Sequence, residues 1–133
     1  MPGDLDWTQA VNTRDPTPLH AQLERTIRVA IASGWLRPGD QLPTVRQLAV
    51  ALRINANTVA RVYAQLERDR ILETRRGVGS FIGARAAESP LNDDARRAEL
   101  RAIVTRALAE ASARGFSAAD VRREMQSIVK GAS

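Results

Sequence analysis

Residues 54–68 constrain the chain more than any other stretch, because they read as one helix with two unlike faces. Val59, Val62, Tyr63 and Leu66 recur at helical spacing and predict a buried stripe. The opposite face carries Ala56, Asn57, Ala60, Arg61 and Ala64, small side chains set between hydrogen-bond donors, with little acidic charge. Asn55 stands at the N-cap, where its side chain can accept from an unpaired N–H of the first turn. A helix that is small and donor-rich at its N-terminal end can lie deep in a groove, and the major groove of DNA admits an α-helix. An ordinary amphipathic helix with a solvated outer face has the same pattern, so the flanking sequence has to decide.

The flanks carry charge of one sign. Residues 37–85 hold nine arginines (Arg37, Arg46, Arg53, Arg61, Arg68, Arg70, Arg75, Arg76 and Arg85) against four acids (Asp40, Glu67, Asp69 and Glu73). That excess equals the net charge of +5 of the whole 133-residue chain. The positive field therefore belongs to the segment around the helix and suits a polyanion. There are no cysteines, which excludes disulfides and thiolate metal sites and fits a reducing compartment. No apolar run is long enough to span a membrane, and Asp4 and Asp6 near the start do not suit a signal peptide, so a cytoplasmic protein is expected.

In chain order, Trp7 is expected to cover a core edge. Thr17 as N-cap followed by Pro18 at the first helical position predicts a helix start. Leu19, Leu23, Ile27, Ala30 and Ile31 form its buried stripe, and Gly34 ends it. Pro38-Gly39 fits the centre of a type II turn. Thr44 with Gln47 makes a capping box for a second helix striped by Val45, Leu48, Ala49 and Leu52, with Arg46 projecting outward. The link through Arg53-Ile54 is short enough for a helix-turn-helix. After Asp69 the period changes. Segments 71–74 and 80–82 are β-prone and bracket the loop Arg75-Arg76-Gly77-Val78-Gly79, which predicts an arginine-tipped wing suited to phosphate or minor-groove contact.

Residues 84–89 read as a linker, and Ser89-Pro90 are expected to open a fourth helix with Asp93 and Asp94 in its first turn. Leu100, Ile103, Val104, Ala107, Leu108 and Ala111 give that helix an apolar face, and Gly115 ends it. Ser117 and Asp120 cap a fifth helix striped by Val121, Met125 and Ile128, with Phe116 and Val121 at hydrophobic-staple positions. Two such helices cannot bury both stripes alone and must pack on the head or on another chain. A homodimer through the C-terminal helices is favoured over intramolecular cover. The expected fold class is mainly α with a small β-wing. Its parts are a winged helix-turn-helix over residues 1–83, a linker over 84–89 and a helical dimerisation domain over 90–133.

This order of signposts resembles the GntR family of bacterial winged-helix transcription regulators. The residues that carry the resemblance are Pro18-Leu19, the run from Gly34 to Thr44, Arg46-Gln47-Leu48-Ala49, Asn57-Thr58-Val59 and the run from Gly77 to Ile82. The short tail and the Asn-x-Asn-Thr-Val-x-Arg-x-Tyr run from Asn55 to Tyr63 point to the YtrA-type subfamily, whose small C-terminal part serves dimerisation. The resemblance implies DNA contact by Arg46, by Asn55, Ala56, Asn57 and Thr58, and by a wing tip at Arg76-Gly77 inserted in the minor groove. The reading of the residues themselves adds Arg61 and Arg75. Two departures stand out: Ala56 replaces a common proline, and Arg70 stands where a glycine usually follows the third helix.

The function this implies is a sequence-specific, double-stranded-DNA-binding transcriptional regulator, a homodimeric repressor on an inverted-repeat operator. The alternative is a winged helix used as a protein-interaction or oligomerisation module without specific DNA binding. An enzyme is not expected, since His20 is the one histidine and has no cysteine or clustered carboxylates to work with. Some GntR heads are fused to an aminotransferase-like domain that uses pyridoxal phosphate. With Lys130 as the single lysine and no such domain following, that variant is not expected. No cofactor or metal is expected. About 45 residues after the linker leave little room for a metabolite pocket within one subunit, so an effector is left unassigned.

Overall fold

Local hydrogen bonding sets nearly every helix end in this computed structural model, which describes residues 6–86 and 93–131. Helix α1 spans Leu19–Ala32 and ends in a Schellman motif: Gly34 N–H reaches the Ile31 carbonyl at 3.2 Å and Trp35 N–H the Ala30 carbonyl at 2.8 Å. Helix α2 spans Val45–Leu52, and Thr44 with Gln47 forms the expected capping box. Helix α3 spans Ala56–Arg68, and the Asn55 side chain accepts from Asn57 N–H at 2.8 Å. Strands β1, Leu72–Arg75, and β2, Gly79–Ile82, pair antiparallel with Leu72 opposite Ile82 and Arg75 opposite Gly79. Helices α4, Asp94–Ala113, and α5, Ala118–Ile128, complete the order. The chain divides into two compact units, residues 1–87 and 88–133.

Three expectations need correction. The first helix begins one residue late: Pro18, with ψ 142°, is itself the N-cap, and no side chain caps the end. Thr17 is occupied otherwise, its carbonyl accepting from the Gln22 amide at 2.8 Å. That amide is buried and also holds both backbone groups of Asn12, a satisfied polar link that sequence periodicity does not reveal. The strands reach one residue closer to the tip than expected, taking in Arg75 and Gly79 and leaving a three-residue loop. The fourth helix starts at Asp94, capped by Asp93, whose carboxylate accepts from Arg96 N–H at 2.8 Å. A charged acceptor at the positive end of the helix is a strong start signal. The expected Ser89-Pro90 opening lies outside the described residues, as do positions 87–89 of the expected linker.

The core of the first unit is built from the predicted stripes. Leu23, Ile27, Leu48, Val59 and Leu66 are wholly buried together with Trp7, Leu36 and Ile82. Trp7 sits in a short 3-10 turn over residues 7–9 and belongs to this core. Its indole N–H is the one buried side-chain polar atom among the described residues without a hydrogen-bond partner.

The third helix ends in the same Schellman pattern as α1, but with Arg70 in the left-handed position at φ 61°. Arg53, at the end of α2, is left-handed too, at φ 56°. A Cβ in this region costs on the order of 1 kcal/mol relative to glycine. Arg70→Gly should therefore raise stability by about 0.5–1 kcal/mol, part of the relief being offset by the greater freedom of glycine in the unfolded chain. The urea midpoint checks this; a lower midpoint would mean that the Arg70 side chain contributes more than its backbone strain costs.

Candidate nucleic-acid interface

Four features fix the exposed face of α3. Val59, Val62, Tyr63 and Leu66 are buried, so the opposite side of the helix has to face outward. Asn55 caps the first turn with its carbonyl oxygen, which leaves the amide N–H groups of that side chain as donors. Ala56, Asn57, Ala60 and Arg61 are exposed, and Thr58 is half-buried. The Tyr63 hydroxyl donates to the Pro43 carbonyl at 2.7 Å, directly before the capping box of α2. Burial pushes the Tyr63 hydroxyl well above its ordinary pKa, so it stays protonated as a donor.

Arg46 lies exposed in the first turn of α2, next to the Gln47 whose amide oxygen accepts from Thr44 N–H at 2.9 Å. Because α2 packs on α3, Arg46 and the Asn55–Thr58 turn belong to one body. Arg61 also lines a shallow cleft between α1 and α3 with His20, Glu24, Gln65 and Arg68. Glu24 is drawn away by Arg28, which bridges it at 3.2 Å and Asp69 at 2.8 Å. These pairs are exposed and worth little stability, but they keep two of the nearby acids engaged.

The wing follows α3 directly and is tied to it. Thr74 in β1 donates its hydroxyl to the Glu67 carboxylate of α3 at 2.9 Å. At the tip, Val78 N–H reaches the Arg75 carbonyl at 2.9 Å and Gly77 takes φ 76° in the turn. Arg76 and Gly77 are exposed there. Arg75 is exposed too, but its guanidinium stands 4.3 Å from the centroid of the Phe81 ring. The two neighbouring arginines are therefore not equivalent. Sequence reasoning missed a third strand-like segment: Gln41 bridges Phe81 antiparallel, flanked by Leu42 N–H to the Ser80 carbonyl at 2.9 Å and Ile82 N–H to the Asp40 carbonyl at 2.8 Å. A single apolar residue, Leu42, among Pro, Gly and polar neighbours gives no period-2 signal by which to find it.

A capped helix with a small, donor-rich outer face, an arginine-bearing helix before it and a basic two-stranded wing after it define a winged helix-turn-helix DNA-binding protein. Residues 19–82 match the model of the gntR family of bacterial regulatory proteins. The chain belongs to that family, whose members are transcription regulators and not enzymes.

Particular relatives agree with this. The chain is 40% identical over 76 residues to the HTH-type transcriptional repressor YtrA of Bacillus subtilis, covering 57% of this chain and 58% of that one. It is 46% identical over 77 residues to the HTH-type transcriptional regulator Rv1152 of Mycobacterium tuberculosis, 58% of this chain and 63% of that one. The chain thus spans less than two thirds of either relative. A solved transcriptional regulator from Oenococcus oeni aligns over 90% of this chain and 98% of its own, with a TM-score of 0.58 at 30% identity. The similarity to YtrA agrees with the YtrA-type resemblance of the sequence.

Proposed function

We propose that the chain is a homodimeric repressor that binds an inverted-repeat operator, with residues 1–83 reading DNA, 84–89 linking and 90–133 dimerising. The DNA-reading part rests on one observation above all. The exposed N-terminal turn of α3 and the adjoining start of α2 present Arg46, Asn55, Ala56, Asn57, Thr58 and Arg61, with no acid among them, on a fully packed support. In this reading Asn57 and Thr58 meet base edges, Ala56 lets the backbone approach, and Arg46 with Arg61 holds phosphates. Of the wing residues expected to meet DNA, Arg76 and Gly77 follow the minor groove in this reading, while Arg75 lies against Phe81.

The dimer is supported by uncovered apolar surface. Leu100, Ile103, Val104 and Leu108 of α4 and Met125 and Ile128 of α5 are all at least 37% exposed, and no side chain of either helix is buried. A two-fold partner would cover these stripes, and that symmetry calls for half-sites about one helical turn apart. The Bacillus subtilis relative is named a repressor, and repression is proposed for this chain by analogy. Among the described residues no helix is long and apolar enough to cross a membrane, and no three His, Asp or Glu side chains converge on a metal site. The proposal includes no cofactor and places the protein in the cytoplasm, where its DNA lies.

Selection of bound sequences from random DNA tests the reading. A two-fold symmetric consensus is the expected result, and no enrichment would favour the protein-interaction reading instead. On the selected site, Arg46→Ala should weaken binding about tenfold and flatten the salt dependence by about one unit of log–log slope. An unchanged slope would remove Arg46 from the docking face.

A further inference from the structure

We infer that Gln41 is a positioning residue for the wing, and that it presents Arg76 to DNA while Arg75 is retained as a brace of the hairpin. The inference rests on the DNA-binding reading above and divides the labour within it.

The brace follows from register. Arg75 lies opposite Gly79, which offers no side chain, and diagonal to Phe81, which is opposite Glu73. Diagonal neighbours on one face of a hairpin are within reach of long and aromatic side chains. The Arg75 guanidinium takes that path and settles 4.3 Å from the Phe81 centroid. Phe81 is buried, so one face of the cation is committed to a fixed support. Arg76, one residue on, is exposed, and among the described residues its side chain makes no hydrogen bond, ion pair or ring contact.

The tip that carries Arg76 is held from outside the hairpin. The Gln41 side-chain amide donates to the Val78 carbonyl at 3.1 Å. Gln41 is itself fixed, because its backbone bridges Phe81 and the next residue, Leu42, is buried in the core. The sequence makes room for this contact. A Cβ at position 79 would lie 2.6 Å from the Gln41 amide nitrogen, and the φ of +143° at Gly79 is one that a side chain resists. A glycine at 79 therefore serves both the turn and the amide that pins it. Together with the Thr74–Glu67 hydrogen bond further down β1, this sets the angle at which the wing leaves α3. Entropy is the reason such pinning matters: a tip ordered before binding loses less freedom on entering a groove.

A double-mutant cycle on the selected operator tests this, with affinity and salt slope measured by fluorescence anisotropy and stability by thermal unfolding. Gln41→Met keeps the length of the side chain and removes the donor. It should weaken binding severalfold with the melting temperature unchanged, because Gln41 is exposed. Arg76→Ala should weaken binding about tenfold and lower the slope by about one unit. The double variant should bind no worse than Arg76→Ala alone, since Gln41 acts through Arg76. Arg75→Gln should leave the slope within a few tenths of the parent. Additive losses from Gln41 and Arg76, or a slope lost on Arg75→Gln, would overturn the inference. So would an Arg76→Ala variant that binds like the parent. Arg46→Ala, measured alongside, reports on DNA docking itself and separates that failure from failure of the wing assignment.

Discussion

Placing glutamates at Ile103 and Met125 should turn the proposed dimer into a monomer and weaken operator binding by about 100-fold or more. Both residues are more than half exposed within one chain, at 51% and 57%, so charges there need not disturb the helices that carry them. In a dimer the same positions would be desolvated, and an unpaired carboxylate there costs several kcal/mol. The effect on DNA binding is larger than any single contact because a dimer gains its second half-site at high effective concentration. Sedimentation equilibrium should give the monomer mass of 14.6 kDa for the variant and twice that for the parent. Each half-site should still be bound weakly. A variant that stays dimeric would move the interface away from α4 and α5.

Leu66→Ala should lower the stability of the first unit by about 3 kcal/mol. Leu66 is completely buried on α3, in a core with residues contributed by α1, α2 and the hairpin. Removing a fully buried leucine to alanine forfeits transfer free energy and leaves a cavity, at about 2–5 kcal/mol. For a small domain with total stability on the order of 5–15 kcal/mol, that shifts the urea midpoint far. The folded fraction should keep its DNA preference, since Leu66 supports the reading face without belonging to it. A loss under about 1 kcal/mol would mean that the surrounding side chains collapse into the space.

Much of this architecture is written locally. The buried stripe of α3, the capping box at Thr44 and Gln47, the turn at Pro38-Gly39 and the ends at Gly34 and Gly115 all depend on residues within a few positions of each other. Asn55, Arg46 and Arg76 could be picked out the same way. What escaped the sequence depends on partners far along the chain. Gln41 and Val78 are 37 positions apart, and their contact exists only because the segment before α2 pairs with β2. The Arg75–Phe81 contact needs the exact hairpin register, which a run of two arginines between glycines does not specify. Gln22 looks like one more polar helix residue until the N-terminal segment folds over it. The opening of α4 is a different case: Asp93 caps the described helix, Ser89-Pro90 lie outside the described residues, and sequence alone does not rank the two.

The Tyr63–Pro43 hydrogen bond has a consequence for the thermodynamics of association. It joins the middle of α3 to the residue before the start of α2, so the two helices cannot shift against each other without breaking a buried bond. The helix-turn-helix therefore meets DNA as a preformed block and has little conformational freedom left to lose. Whatever ordering accompanies binding has to come from the long side chains of Arg46, Arg61 and Arg76. Affinity among sequence variants of the operator should then be governed by how fast the complex falls apart, with the rate of encounter nearly constant.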